Sequence, residues 1–151
     1  MIAPIVRQLS QGVTPEKVAL TIAVGLAIGV FPILGATTLL CAAAGVALGL
    51  NQPIIQLVNY VAYPAQLVSL IPFYRAGELL FGRPHLPLSI PLLMERFRAD
   101  TGKFFADFGI VAVGGIVVWC LVAPLIALAL YHLTRQPLRL LASRTRKDQL
   151  A

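Results

Sequence analysis

Residues 18–74 read VALTIAVGLAIGVFPILGATTLLCAAAGVALGLNQPIIQLVNYVAYPAQLVSLIPFY, 57 consecutive positions without Asp, Glu, Lys, Arg or His. At an ordinary charged fraction of about a quarter, such a window carries about 14 charges. Lipid removes charges this thoroughly, because one at the bilayer centre costs on the order of 3 kcal/mol or more. A core helix of a soluble domain needs an uncharged run of only about 10–14 residues. A second stretch, 108–134, holds His132 and no Asp, Glu, Lys or Arg.

The rest of the chain agrees. Of 151 residues, 12% are charged and 58% apolar, with a mean hydropathy of +0.85. The length fits one domain, and a soluble domain of that size cannot hide so much apolar surface. Disordered, ordinary cytosolic and nucleic-acid-binding readings are excluded, the last because no basic patch is interleaved with aromatics. The sequence predicts an all-α integral membrane helical bundle. Net charge is +6. Residues 135–151 carry five cations against Asp148, and a basic segment beside the last span predicts a cytoplasmic tail near anionic lipid. Residues 1–17 lack the pattern of a secretory leader, so the first apolar segment is expected to remain in the mature protein.

The long block is interrupted. Thr14-Pro15-Glu16 starts a helix, with Thr as N-cap, Pro at the first position and Glu in the first turn. Phe31-Pro32-Ile33-Leu34-Gly35 should break it, because Pro32 lacks a donor and Gly35 relaxes the backbone. A second helix starts near 36–38 and ends at Asn51-Gln52-Pro53. Each arm is about 22 Å long against an apolar layer of about 30 Å. The two form either a re-entrant hairpin or one long broken helix over 14–50. Gly25 and Gly49, like Gly29 and Gly45, are equidistant from residue 37, so a hairpin turning there sets the glycine pairs level and lets its arms approach. Thr37 and Thr38 then head the returning helix, as plain caps or as an anion site.

Residues 53–82 form a kinked helix or a second hairpin, broken at Tyr63-Pro64 and passing Pro72. Gln56, Asn59 and Tyr63 fall on one helical stripe, with Gln66 one turn on. They serve either interhelical hydrogen bonds or a substrate path. Arg75 can pair with Glu78, snorkel to the interface or meet an anionic headgroup. The substrate-path candidates are therefore Pro32, Gly35, Thr37, Thr38, Gln56, Asn59, Tyr63, Gln66 and Arg75.

Residues 84–107 read as a proline-rich link, then an amphipathic interfacial helix over 92–107, bent at Gly102. Residues 108–134 are long enough to span, with Gly114-Gly115 as a packing face, Pro124 as a kink and Trp119 facing inward. Cys41 and Cys120 read as small buried hydrophobes. His85 and His132 are too few for a metal site, and no catalytic or phosphate-loop motif is present, so neither an enzyme nor a cofactor is expected.

Thr14-Pro15-Glu16-Lys17-Val18-Ala19, Gly25-x-x-x-Gly29-Val30-Phe31-Pro32-x-x-Gly35, Asn51, and an X-Pro break before Tyr74-x-x-Gly77 together resemble the bacterial membrane family called domain of unknown function 2062. The likeness covers about residues 10–135 and departs at Tyr63-Pro64, where the family carries Asn-Pro. It implies an integral inner-membrane protein. Relatives joined to glycosyltransferase domains imply envelope or lipid-carrier work, and the interrupted helices are similar by analogy to DedA-like lipid transporters. Two functions are expected: from the two uncharged segments, each interrupted by proline with polar residues beside the break, a small homo-oligomeric transporter or lipid and polyprenyl-carrier translocator surrounded by membrane lipids; or a non-transporting scaffold for an envelope glycosyltransferase.

Overall fold

The computed structural model describes residues 14–82 and 90–148. They form five α-helices and no strand: α1 Pro15–Gly29, α2 Thr37–Ala47, α3 Gln52–Leu80, α4 Ile90–Ala99 and α5 Thr101–Asp148. The arm over 1–13 and most of the proline-rich link lie outside the described residues. Two helices, α3 and α5, are long and apolar enough to cross a membrane. At 29 and 48 residues they measure about 43 and 72 Å.

The Thr14 hydroxyl accepts from the Lys17 N–H at 3.3 Å and Pro15 takes the first turn of α1. Gly49, at φ +60°, closes α2, and the Leu50 N–H returns to the Gly45 carbonyl at 2.8 Å. Asn51 does not terminate α2. It caps α3, its Oδ1 accepting from the Ile54 N–H at 3.0 Å, with Pro53 in the first turn.

Three elements depart from the sequence reading. The break expected at Tyr63-Pro64 is absent: α3 runs unbroken through Pro64 and Pro72, so there is no second hairpin. α5 continues as one helix through Pro124 and Pro137, joining residues 101–107, the apolar stretch and the basic segment that were read as separate. The change of direction falls at Asp100, whose Oδ1 accepts from the Lys103 N–H at 2.9 Å, rather than at Gly102.

α1 and α2 fold back on each other. The Lys17 ammonium lies 3.8 Å from where a Cβ on Gly49 would stand, so both arms end at one side of the bundle. We call this the near end. There Val18 and Ala19 of α1 meet Ile54 and Val58 of α3 and Leu138 of α5, with Tyr131 against them. Cys41, Leu50 and Ile55 form a second cluster that fills the hairpin with Val24 and Ile28. Cys120, in contrast, is exposed.

The mirrored glycines do not meet. A Cβ on Gly25 would stand 3.0 Å from Val58, and one on Gly29 would stand 2.6 Å from the Ala62 Cβ. Gly45 is covered by the Gln52 amide. α3, rather than the opposite arm, occupies the small surface of α1. Gly114-Gly115 is also consumed within the chain. A Cβ on Gly77 would sit 2.5 Å from the Gly114 carbonyl carbon, so α3 and α5 touch backbone to backbone.

Candidate functional site

Among the described residues, the interruption between α1 and α2 takes main chain out of helical pairing beside the two long helices α3 and α5. α1 ends as the Phe31 N–H turns back to the Ile28 carbonyl at 2.9 Å, which frees the Ala27 carbonyl. Pro32, fully buried, offers no donor, and Gly35 adopts φ +84°, a conformation that costs any residue with a Cβ.

Side chains from both long helices take up the freed carbonyls. Gln66 of α3, 1% exposed, donates from Nε2 to the Phe31 oxygen at 2.8 Å and, more weakly, to the Ile33 oxygen at 3.4 Å. The Tyr74 hydroxyl donates to the Pro32 oxygen at 2.6 Å. Trp119 of α5 donates from Nε1 to the Ala27 oxygen at 2.9 Å, while its ring meets Phe31 edge-on at 4.9 Å. Four carbonyls at one break thus receive donors from three side chains. An unpaired carbonyl in an apolar layer costs several kcal/mol, which is the reason a break there is clamped in this way.

A second set of amides joins α3 to the returning helix. Gln52 donates to the Ala42 oxygen at 2.9 Å and Gln56 to the Thr38 oxygen at 3.1 Å. Asn59 reaches the Thr38 hydroxyl at 3.5 Å, the limit of a hydrogen bond. Positions 52, 56, 59 and 66 share one helical stripe. The structure therefore sets Gln66 against the break around Pro32, and Gln56 and Asn59 against Thr38, with Thr37 buried at the head of α2; Gly35 turns the chain but is exposed and has no neighbour at its Cβ position. Tyr63 does not join them and is 51% exposed. Arg75 sits beyond the clamp and donates from Nη1 to Glu78 at 2.7 Å, the Glu78 carboxylate being wholly buried.

Three residues of the site were not among the candidates read from the sequence, although Trp119 was read as facing inward, as it does. Gln52 was legible, since it stands one turn before Gln56 on the same stripe. Tyr74 and Trp119 were not, because nothing local tells that their polar atoms reach across 42 and 92 residues to one loop. Among the described residues no group of three or more His, Cys, Asp or Glu could hold a metal. The donors of this site are neutral amides, a phenol and an indole. Such a set holds a backbone in place.

At the near end, Arg139 Nε meets Glu16 Oε1 at 2.6 Å. That hydrogen bond holds the Glu16 carboxyl below its ordinary 4.5, with the charges of Arg139 and Arg135 adding to it. It also fixes the basic part of α5 beside the start of α1.

No curated protein and no solved structure matches the chain. A family model does, over residues 4–147, described as an uncharacterized protein conserved in bacteria, DUF2062. That span contains both arms of the hairpin, all three clamping side chains and the Gly77–Gly114 contact. The protein therefore belongs to the bacterial family of domain of unknown function 2062.

Proposed function

We propose that the protein is an integral component of the bacterial inner membrane. α3 and α5 cross the bilayer, and the α1–α2 hairpin enters from the near end and returns. The depth of the break supports this. Gln66, which holds it, is the middle residue of α3, about 21 Å from that helix's start, so the hairpin tip stands near mid-membrane. Two crossings put both ends of the described chain on one side. The near end carries Lys17, Arg135 and Arg139 and continues into Arg144, Arg146 and Lys147, against Glu16 and Asp148. The run of Arg and Lys directly after the last apolar stretch supports this as the cytoplasmic side. α4, with Arg96 and Arg98 near its end and apolar residues along its length, lies in the opposite interface.

On this frame the chain acts as a small transporter or lipid-carrier translocator, working as a homo-oligomer. The observation that carries the reading is a polar, interrupted backbone held at mid-depth, the arrangement by which broken-helix carriers position a substrate. A second reading, a non-transporting scaffold for an envelope glycosyltransferase, draws on the same site. The hydrogen-bonding amides on the α3 stripe are all directed at the hairpin. Reconstitution separates the two. A transporter accelerates exchange of fluorescent phospholipid or polyprenyl phosphate between leaflets, and Asn59→Leu slows it. Exchange no faster than in protein-free vesicles removes the transport reading. Thiol labelling of Leu34→Cys from each side tests whether the tip is reached from the cytoplasmic side, as re-entry requires.

A further inference from the structure

Four charged side chains gather at the near end, and one of them is not satisfied by the others. Arg139 is bonded to Glu16 at 2.6 Å. Arg135, one turn earlier on α5, lies with its guanidinium carbon 5.8 Å from the centre of the Tyr131 ring. Its Nε is enclosed and has no acceptor. The ring beneath it is itself packed on the cluster of Val18, Ala19, Ile54, Val58 and Leu138, so the platform is part of the core. Lys17, next to Glu16 at the start of α1, directs its ammonium toward Gly49 at the mouth of the hairpin. The Glu16 carboxylate beside these cations is already occupied by Arg139. Three cations and one paired carboxylate leave a local excess of positive charge.

An enclosed N–H without an acceptor loses the bond it had to water, and because Arg135 as a whole is only half-buried, the outer end of its guanidinium still offers the paired Nη donors as a fork. Phosphate oxygens fit such a fork. We propose that Arg135, supported by Lys17, binds the phosphate of an anionic phospholipid in the leaflet at the near end. This rests on the placement of that end at a membrane surface. The source is committed by position: Arg135 directly follows the apolar stretch that ends at Thr134, where lipid headgroups lie.

The test uses the full chain in detergent, exchanged against mixed vesicles of phosphatidylglycerol and phosphatidylcholine, with retained lipid read by native mass spectrometry. The wild type retains phosphatidylglycerol preferentially, and Arg135→Gln reduces that preference about fivefold. Arg135→Lys, which keeps the charge but not the fork, recovers part of it. Lys17→Gln, a variant outside α5, also weakens retention. Arg98→Gln, which removes a cation from α4 at the opposite end, changes nothing. Equal retention of the two lipids by the wild type, or an unchanged preference in Arg135→Gln, overturns the proposal. Displacement of the lipid by millimolar inorganic phosphate also overturns it, by reassigning the site to a soluble anion. Thiol labelling of Ser143→Cys from outside intact cells reports separately on sidedness, so a reversed orientation is distinguishable from an absent site.

Discussion

Two X-Pro steps in this chain have almost the same local sequence and opposite outcomes. Phe31-Pro32 ends a helix, whereas Tyr63-Pro64 lies inside one that continues for another four turns. Each proline removes one donor and crowds the carbonyl four residues back, a penalty of about 3 kcal/mol in an ordinary helix. Two things distinguish them. Gly35 supplies a left-handed residue three positions after Pro32, and no glycine follows Pro64 until Gly77. In addition, the Pro32 loop has donors waiting for it in Gln66, Tyr74 and Trp119. Proline permits an interruption in an apolar layer, and partners for the released carbonyls decide whether it occurs.

The strongest way to break this contrast is to separate α3 from α5, since both carry the clamp. Gly77→Leu places a side chain where even a Cβ meets the Gly114 backbone at 2.5 Å. Backbone cannot yield as a side chain does, so we expect a loss of about 3 kcal/mol or more, seen as failure to recover monodisperse protein in detergent. The two prolines themselves come next. Pro64→Ala restores a helical N–H and should raise the unfolding midpoint, by up to about 3 kcal/mol of stability. Pro32→Ala should give no such gain, because the loop there is already satisfied by other means. Equal gains at both positions would show that the clamp contributes nothing.

Gln66→Leu should cost about 1–3 kcal/mol, because it leaves the buried Phe31 carbonyl unpaired. Tyr74→Phe should cost about 1 kcal/mol by the same measurement. The smallest effect belongs to the near end. Glu16 titrates below its ordinary 4.5 when folded, so its pairing with Arg139 stabilises the fold above that value and is lost as pH falls through the folded one. Melting curves of the wild type and Glu16→Gln should therefore converge in acid and differ at neutral pH.

The same contrast explains what could be read beforehand. The uncharged block, the Thr14-Pro15 start and the interruption with Gly35 are all local signals, and the helices and the loop follow from them. Pro64 misled because a pattern cannot show that no donors await its carbonyls. The mirrored glycines misled for a related reason. Small residues announce a close approach but not by whom, and α3 reaches Gly25 and Gly29 where the opposite arm was expected. Gly114-Gly115 was legible as a packing face, but its partner, Gly77, lies 37 residues away in another helix. Of the polar stripe, Gln56, Asn59 and Gln66 stood out because amides are rare in such company. Tyr63 stood out equally and turns outward.

α5 has a structural corollary. Its 48 residues continue past Thr134 to Asp148, adding about 20 Å of helix beyond the apolar stretch. The same helix carries Trp119, whose indole is tied to the last turn of α1. The basic segment and the buried loop are thereby joined through one continuous helix.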